Sequence, residues 1–451
     1  GHVFYDKLNR VLAQAGFDKF VEDLCSPYYE QTGRPSIPPG VYFRMILSGY
    51  FEGISSQRGI AWRCGDSRSL AEFLGFGPTQ ETPDHSSLTR VAQRLPREIH
   101  EAVFQRVIAI AVAKGLVNGK TVAVAEHRLL DAKTVGVDST TLEANAAMKS
   151  IVRRDTGEDW RAYVVRLMRE AGVIEAEQQP TDEEIRRFDK QRKDKKVSND
   201  EWVSATDEES RITRMKDGTT HLAYKAEHVI DLESEFILAA TVQGGDAADT
   251  DTLCDSLMEA QLNLKAAGSD LEVREAVADK GYHAAATLEL CDDLHFRTYI
   301  PEPKRKYRSR WTDKPREQRD AVVANRRRVK GDRSKRLQRQ RSERIERSFA
   351  HVCETGGARR CWLRSKLKVA KRYLLQVAAR NLGLILRKLF NVGTPRGLQS
   401  AGTPDSCLAA LAQLAITLLH ALLNAFQSRR TLATRPDEPT APLTEFLTLA
   451  A

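Results

Sequence analysis

Hydrophobic positions recur at helical spacing through the first 120 residues. Prolines and a glycine at residues 38–40 precede an apolar stretch at residues 41–51, which predicts a helix, and Ser55 is placed to cap the next one. Asp84 is placed to cap a third helix that buries leucine and valine and exposes serines and arginines. The pattern predicts an all-α N-terminal domain over residues 1–130. Two short helices before a basic one fit either a helix-turn-helix DNA reader or an ordinary helical bundle.

The chain then changes to short β-rich runs separated by turn residues. The predicted elements are, in order, a strand at residues 134–138 that ends in Asp138, hairpin strands at 222–230 and 236–242, a helix at 250–266, a strand at 273–278, a helix through 287–290, a strand at 296–300 and a long helix that holds Glu343 and Glu346. This order of strands and helices is that of the ribonuclease-H-like fold. We therefore predict an α/β catalytic domain over residues 131–392, built on a ribonuclease-H-like mixed sheet. Other mixed-sheet topologies stay open at this stage.

Two stretches interrupt that order. Residues 146–218 carry an amphipathic helix around Trp160 and a capping box formed by Thr181 and Glu184, so we interpret them as a helical insertion. Residues 303–340 are strongly basic and are predicted to form a second insertion, extended as a helix or an arm.

The C-terminal residues 393–451 are predicted to form a linker, an amphipathic helix and a flexible tail. Residues 407–426 hold no formal charge over a length sufficient to cross a membrane, but their polar side chains repeat on one helical face. A helix with polar side chains along one face is expected to pack on protein rather than to face lipid. No membrane association is therefore predicted.

Charge is unevenly placed along the chain. The net charge of +9 includes a block at residues 304–347 with 19 Lys and Arg against 6 Asp and Glu, so the remaining residues carry a net charge of −4. A solvated surface mixes both signs, whereas a block of one sign is typical of contact with phosphate backbones. The block indicates a nucleic-acid partner, bound by an interaction that weakens as the salt concentration rises.

The cysteines and histidines favour no zinc site. The seven cysteines are widely spaced without a zinc-ligand pair, and no two histidines have the i, i+4 spacing of a zinc helix. No basic segment followed by an apolar one indicates export. Free thiols in a reducing compartment are expected.

Three acids occupy positions that a ribonuclease-H-like fold would bring together. Asp138 closes the first strand, Asp279 follows the fourth, and Glu346 lies on the final helix, which packs against both strands in such a fold. Hard oxygen ligands suit Mg²⁺ or Mn²⁺, and two such ions can assist both the attacking and the leaving oxygen of a phosphoryl displacement. We predict that these acids are catalytic and hold two ions.

The sequence resembles the DDE transposases of bacterial insertion sequences. The matching pieces are Pro-Asp-His-Ser-Ser-Leu at 83–88, Gly-Val-Asp-Ser-Thr-Thr at 136–141, Tyr-Lys-Ala at 224–226, Ala-Asp-Lys-Gly-Tyr at 278–282 and Ile-Glu-Arg-Ser-Phe-Ala at 345–350. The resemblance runs from about residue 20 to residue 395. It implies cleavage of double-stranded DNA at the ends of a mobile element, followed by attack of the freed 3′-hydroxyl on target DNA. It also implies at least a homodimer and a cytoplasmic, nucleoid-associated location.

Several assignments have competitors. Glu343 lies one helical turn before Glu346 and could be the third ligand instead. Glu346 is preferred because Ile345 and Phe349 frame it as in the family, whereas Glu343 resembles an ordinary ion-pair partner among arginines.

A further group of acids and several basic or aromatic residues complete the candidates. Asp246, Asp249 and Asp251 cluster after Gly244 and Gly245 and could be metal ligands, but their position just ahead of a predicted helix makes helix capping the simpler explanation. The candidate DNA contacts are Lys225, Lys280, Tyr282, Arg326, Arg327, Arg328 and Arg347.

Two other functions stay open. A ribonuclease-H-like nuclease would cleave strands without joining them, and an inactive DNA-binding remnant of a transposase would do neither. The intact set of three acids argues against the remnant.

Overall fold

The computed structural model describes residues 2–30, 32, 36–114, 133–193, 197–215, 218–304 and 315–395. All of them belong to one compact unit, Gly1–Pro395. The predicted C-terminal linker, amphipathic helix and tail begin at residue 393 and lie almost wholly outside the described residues, as do residues 305–314 of the basic insertion. Among the described helices, none combines the length and the apolar character needed to cross a membrane.

The N-terminal layer is built of helices, as predicted. They are α1 (Val3–Gln14), α2 (Phe17–Cys25), α3 (Pro39–Glu52), α4 (Gln57–Asp66), α5 (Arg68–Phe73), α6 (His85–Arg94) and α7 (Arg97–Ala113). Asp84 caps α6 by accepting a backbone N–H at 2.9 Å, as expected. The cap of α4 is Ser56, so the prediction that Ser55 caps this helix was wrong. The Ser55 hydroxyl instead accepts a hydrogen bond from Trp362 Nε1 at 2.9 Å.

A mixed sheet forms the centre of the α/β region. The strands are β1 (Thr134–Glu143), β2 (Ile151–Arg153), β3 (Trp202–Ser204), β4 (Arg211–Arg214), β5 (Thr220–Asp231), β6 (Ile237–Gly244), β7 (Glu275–Val277) and β8 (Arg297–Tyr299). The central sheet has the order β6–β5–β1–β7–β8, with β4 beside the first residues of β5. Strand β5 is antiparallel to β1 and β6, whereas β7 and β8 are parallel to β1. The predicted ribonuclease-H-like arrangement is confirmed.

Helices cover both faces of this sheet. The helices of the α/β region are α8 (Trp160–Glu170), α9 (Asp182–Gln191), α10 (Asp249–Ala266), α11 (Ala285–Asp293), α12 (Arg316–Val329), α13 (Asp332–Phe349) and α14 (Lys366–Phe390). Helices α8 and α9 belong to the insertion, and the other five contact the sheet. Alternate side chains of a strand point to opposite faces, and along β5 they meet α10 on one face and α13 and α14 on the other. Residues 222–231 are consequently buried without interruption.

Helix α14 contacts both the sheet and the N-terminal layer. The Asn381 side chain accepts from the Ile237 N–H at 3.1 Å and donates to the Ile237 carbonyl at 2.8 Å, which satisfies backbone groups on the edge of β6. On the other side, Lys371 Nζ donates to the carbonyls of Ala92 and Leu95 at 2.6 and 2.8 Å.

The helical insertion has a small core of its own. Val164, Val165 and Met168 of α8 pack with Ile185 of α9, and the predicted capping box at the start of α9 is present. The strands β2 and β3 pair with each other as a separate ribbon. Strand β4 falls within the predicted insertion at 146–218 but pairs with β5 in the main sheet, so the insertion is shorter at its C-terminal end than predicted.

Candidate active site

Asp138 lies in the middle of β1, where one neighbouring strand ends. Strand β7 pairs with β1 only from Thr134 to Gly136, whereas β5 stays paired with β1 as far as Glu143. The prediction that Asp138 ends its strand was therefore wrong, because β5 continues to supply hydrogen-bond partners beyond it. Asp138 instead lies at the edge of β1 that β7 leaves open.

Asp279 follows directly after this end of β7. Its Oδ1 accepts the Gly281 N–H at 2.8 Å and so caps the short 3₁₀ turn Lys280–Tyr282. Because β7 is parallel to β1 and its last residue pairs with Gly136, the chain delivers Asp279 to the same edge as Asp138.

The electrostatic surroundings of Asp138 indicate that the two carboxylates are close. Burial raises the pKa of the Asp138 carboxyl, and the negative charge of Asp279 adds to the rise. The Arg341 guanidinium and the Ser139 N–H stabilise the ionised form and act in the opposite direction. Arg341, buried on α13, donates from Nη1 to Asp138 Oδ2 at 2.7 Å. Sequence reasoning did not single out this arginine, which was one of many in the basic block.

Glu346 and Glu343 are both exposed on α13, but they differ in their contacts. Glu343 forms an i, i+4 ion pair with Arg347. The Glu346 side chain makes no hydrogen bond or ion pair with any residue that the structure describes. Its neighbours Ile345 and Phe349 point inward, and Phe349 stacks on His228 with ring centroids 4.1 Å apart. That Glu346, rather than Glu343, is the third metal ligand stays a prediction.

Asp249 is a further carboxylate at this place that sequence reasoning assigned to helix capping. That interpretation was wrong, because the N-cap of α10 is Ala248 and Asp249 is the first helical residue. Its Oδ1 accepts from Ser139 Oγ at 3.0 Å and lies 2.6 Å from Lys225 Nζ. The signal in the sequence was the cluster of Asp246, Asp249 and Asp251 after the third predicted strand, for which capping was the simpler explanation than metal binding.

Gly281 lies between Asp249 and Asp279. A Cβ at this residue would lie 2.9 Å from Asp249 Oδ2 and 3.0 Å from Asp279 Oδ1. The two carboxylates therefore converge on one point, and only the absence of a side chain leaves room for both.

A buried carboxylate on β5 supports this arrangement from within. Glu227 is fully buried and accepts hydrogen bonds from Thr252 and Ser256 of α10 and from the Tyr282 hydroxyl, the last at 2.7 Å. Burial raises the pKa of Glu227, while the three hydroxyl donors act against that rise. These bonds connect β5, α10 and the turn after Asp279. They therefore help to fix the positions of Asp249, at the start of α10, and of Asp279, before the turn.

The three predicted DNA contacts near the acids have different surroundings. Tyr282 is fully buried and bonded to Glu227, so the DNA contact predicted for it is contradicted. Lys225 is buried between Asp249 and the carbonyl of Ala247, at 2.6 and 2.9 Å, so a DNA contact would require it to leave these partners. Lys280 is exposed beside Asp279.

Two of the three consecutive arginines at residues 326–328 of α12 bond to other residues of the protein. Arg326 forms a two-pronged ion pair with Glu302, and Arg328 donates to the carbonyl and hydroxyl of Thr298. Burial lowers the pKa of Arg328. Arg327, between them, is exposed.

Five exposed cations lie on α12, on α13 or just after α12, and we call them the basic face: Arg319, Arg327, Lys330, Arg336 and Arg339. Arg347 lies near the end of α13 and pairs with both Glu235 and Glu343. The DNA contact predicted for Arg347 would compete with these two carboxylates.

The N-terminal layer contains an open groove of about 880 Å³, lined by α4, α5 and the loop before α6. Trp62 lines it with two thirds of its surface exposed. The groove contains none of the acids at the open edge of β1, and DNA contact by this layer stays a prediction.

The acids at the open edge of β1 have the donor chemistry of a site for a hard divalent cation. Asp138, Asp249 and Asp279 supply carboxylate oxygens, which Mg²⁺ and Mn²⁺ prefer. Arg341 and Lys225 balance part of their charge. Within the described ranges, no three acidic, histidine or cysteine side chains are close enough to hold a metal ion together. Asp249 Oδ2 and Asp279 Oδ1 nevertheless lie within 3.0 Å of one point, the position of a Cβ at Gly281.

The sheet order, with acids where β1 and β7 separate, defines an enzyme of the ribonuclease-H-like class. The model of the family described as Transposase DDE domain matches residues 126–382, and that described as Transposase domain (DUF772) matches residues 1–94. The chain belongs to the transposase DDE domain family. It is a transposase, an enzyme that cleaves nucleic acid in DNA transposition and recombination, and family membership implies that it binds DNA. Neither the curated proteins nor the solved structures gave a match.

Proposed function

We propose that this transposase cleaves DNA at the ends of an insertion sequence and joins the freed 3′-ends to target DNA. Asp138, Asp279 and Glu346 are the proposed ligands of two Mg²⁺ or Mn²⁺ ions. The observation that supports the proposal most directly is the approach of Asp138 and Asp279 from adjacent parallel strands. When bound, the ions would activate the attacking oxygen and stabilise the leaving oxygen of an in-line displacement.

The protein's own contribution is to hold these oxygens in place. The Ser139 N–H fixes Asp138 Oδ1 at 2.8 Å, and the Gly281 N–H fixes Asp279 Oδ1 at the same distance. Arg341 pairs with the other oxygen of Asp138 and so places a positive charge beside the proposed reaction centre. Groups held in advance need no reorganisation when charge develops during the reaction.

The basic face of α12 and α13 is the proposed DNA surface, together with Lys280. Two of its members, Arg336 and Arg339, lie on the same helix as Glu346, which would bring bound phosphates close to the acids. Joining two element ends to one target further requires two active sites, so we propose at least a dimer.

The test is Mg²⁺-dependent cleavage and joining of labelled DNA that carries the element's two ends. Asp138→Ala, Asp279→Asn and Glu346→Gln are each expected to abolish both reactions. Glu343→Gln is the matched control, one helical turn from Glu346, and is expected to remain active.

Each other outcome has a definite meaning. Wild-type cleavage by Asp279→Asn contradicts the proposed site. Activity in Glu346→Gln together with its loss in Glu343→Gln transfers the third ligand to Glu343. Cleavage without joining identifies a nuclease rather than a strand-transferring enzyme.

A further inference from the structure

We infer that Asp249 is a fourth metal-binding carboxylate of this active site, held in the metal-free state by Lys225. The inference rests on the proposed function, because it concerns the same ions. It adds a ligand to the three that the sequence indicated.

Ser139 connects Asp249 directly to Asp138. The Ser139 N–H donates to Asp138 Oδ1 at 2.8 Å, and its hydroxyl donates to Asp249 Oδ1 at 3.0 Å. One residue of β1 therefore orients both carboxylates. A residue used only to begin α10 would not need this connection to the catalytic strand.

The second oxygen of Asp249 lies near Asp279, beside the position of a Cβ at Gly281. Asp249 Oδ2 and Asp279 Oδ1 reach within 3.0 Å of the position of a Cβ at Gly281. No described residue donates a hydrogen bond to Asp249 Oδ2, whereas Oδ1 has two partners. Two carboxylates of like charge repel each other in this arrangement unless a cation is shared between them.

Lys225 explains how Asp249 stays in position before an ion arrives. Its ammonium is buried at 7% exposure, 2.6 Å from Asp249 Oδ1, and also donates to the carbonyl of Ala247. A buried ammonium needs a charged partner, and a divalent cation would compete with it for the same carboxylate. Lys225 is therefore a positioning residue that opposes metal binding.

The test measures Mn²⁺ binding to the full chain without DNA, by electron paramagnetic resonance of the free ion. Asp249→Asn is expected to weaken Mn²⁺ binding by at least about tenfold, the range found when groups around a metal are removed. Asp251→Asn is the matched control, because Asp251 is an exposed acid in the same first turn of α10. It is expected to bind Mn²⁺ as the wild type does.

A second variant separates metal binding from structural support. Lys225→Met removes the competing cation and is expected to strengthen Mn²⁺ binding. If the pair with Asp249 served only stability, both Lys225→Met and Asp249→Asn would lower the melting temperature and leave the Mn²⁺ affinity unchanged. Equal Mn²⁺ binding by Asp249→Asn and the wild type, or none by the wild type, overturns the inference.

The inference and the proposed function can fail separately. Mn²⁺ binding that depends on Asp249, in a protein that does not cleave element ends, overturns the proposed function and supports the inference. Cleavage that depends on Asp138 and Asp279, with a Mn²⁺ affinity that does not depend on Asp249, supports the proposed function and overturns the inference.

Discussion

Gly136 sets the distance between β1 and α13, the helix that carries Arg341 and Glu346. A Cβ at this residue would lie 2.7 Å from Leu232 Cδ2 and 3.1 Å from side-chain atoms of Arg341 and Ile345. The helix can therefore approach the strand this closely only while residue 136 has no side chain.

Gly136→Ala is expected to lower the free energy of unfolding by about 1–3 kcal/mol, the usual cost of overpacking a core. It should also reduce cleavage of element ends, because α13 must shift and carry Arg341 away from Asp138. Urea denaturation and the cleavage assay check the two effects. Gly331→Ala is the control, since a Cβ there would meet only the Arg328 carbonyl at 3.6 Å. Wild-type stability and activity in Gly136→Ala would refute the packing argument.

His100 gives the folded protein a defined pH dependence. Burial lowers the pKa of this histidine to about 4, and the positive charge of Lys371 acts in the same direction. Its Nδ1–H donates to the Pro96 carbonyl at 2.9 Å. The unfolded chain takes up a proton near pH 6.5, but the folded chain does so only near pH 4. The associated stability is thus complete above pH 6.5 and is lost as the pH falls towards 4.

His100→Asn, which keeps a donor near the Nδ1 position, should lose less stability between pH 7 and pH 4.5 than the wild type does. The expected difference is about 2 kcal/mol, measured by urea denaturation at the two pH values. His228 is also buried with a lowered pKa, so part of the pH dependence remains in the variant. The exposed His221→Asn serves as the control. Equal pH dependence in His100→Asn and the wild type would contradict the assignment.

At the scale of single elements, α13 has two faces with different roles. Its inward face packs Leu337, Ile345 and Phe349 against the sheet, while Arg336 and Arg339 are exposed on its outward face. The basic block of the sequence is thus divided between the two faces, because arginines such as Arg341 point inward and pair with a carboxylate.

The triple variant Arg327→Gln, Arg336→Gln and Arg339→Gln should weaken DNA binding and its salt dependence. The slope of log K against log salt concentration is expected to decrease by about 0.9 for each DNA phosphate that the variant no longer neutralises. Fluorescence anisotropy with duplex DNA at several salt concentrations measures it. The control replaces the exposed Arg169, Arg186 and Arg187 of the insertion by Gln, which removes the same charge. An equal effect of the two triple variants would show that net charge, rather than this face, governs binding.

At the scale of the whole described unit, α14 holds the helical layer against the sheet. Lys371 is buried and provides two hydrogen bonds to carbonyls at the end of α6, and burial lowers its pKa. Asn381 makes the corresponding connection to β6 on the other side.

Lys371→Met should destabilise the protein by about 1–3 kcal/mol, because one buried and one partly buried carbonyl lose their donor. Hydrogen exchange is expected to show faster opening of both α6 and β6, since α14 supports them together. Lys368→Met, one turn earlier and exposed, should behave as the wild type does. Faster exchange confined to α6 would show that the layer and the sheet open independently.

The sequence by itself determined the order of the main elements, and it placed Asp138 on the first strand and Asp279 after the fourth predicted one. These depend on hydrophobic periodicity and turn residues, which act over a few neighbouring positions. The same local signals located the cap at Asp84 and the capping box of α9. They misplaced the cap of α4 by one residue, at Ser55 instead of Ser56. In the fold, the Ser55 hydroxyl accepts a hydrogen bond from Trp362, which is distant in the sequence.

Only the tertiary structure decided which charged residues meet. The pair of Arg341 with Asp138 joins residues 203 positions apart, and the bond from Ser139 to Asp249 spans 110. The burial of Tyr282 against Glu227 likewise depends on the packing of α10 and β5. Such contacts leave no local pattern, because they depend on where separate elements come together in the fold. For this reason the periodicity of the chain predicted the ribonuclease-H-like sheet, whereas the contact of Asp249 with Ser139 of β1 depends on where α10 packs in the fold.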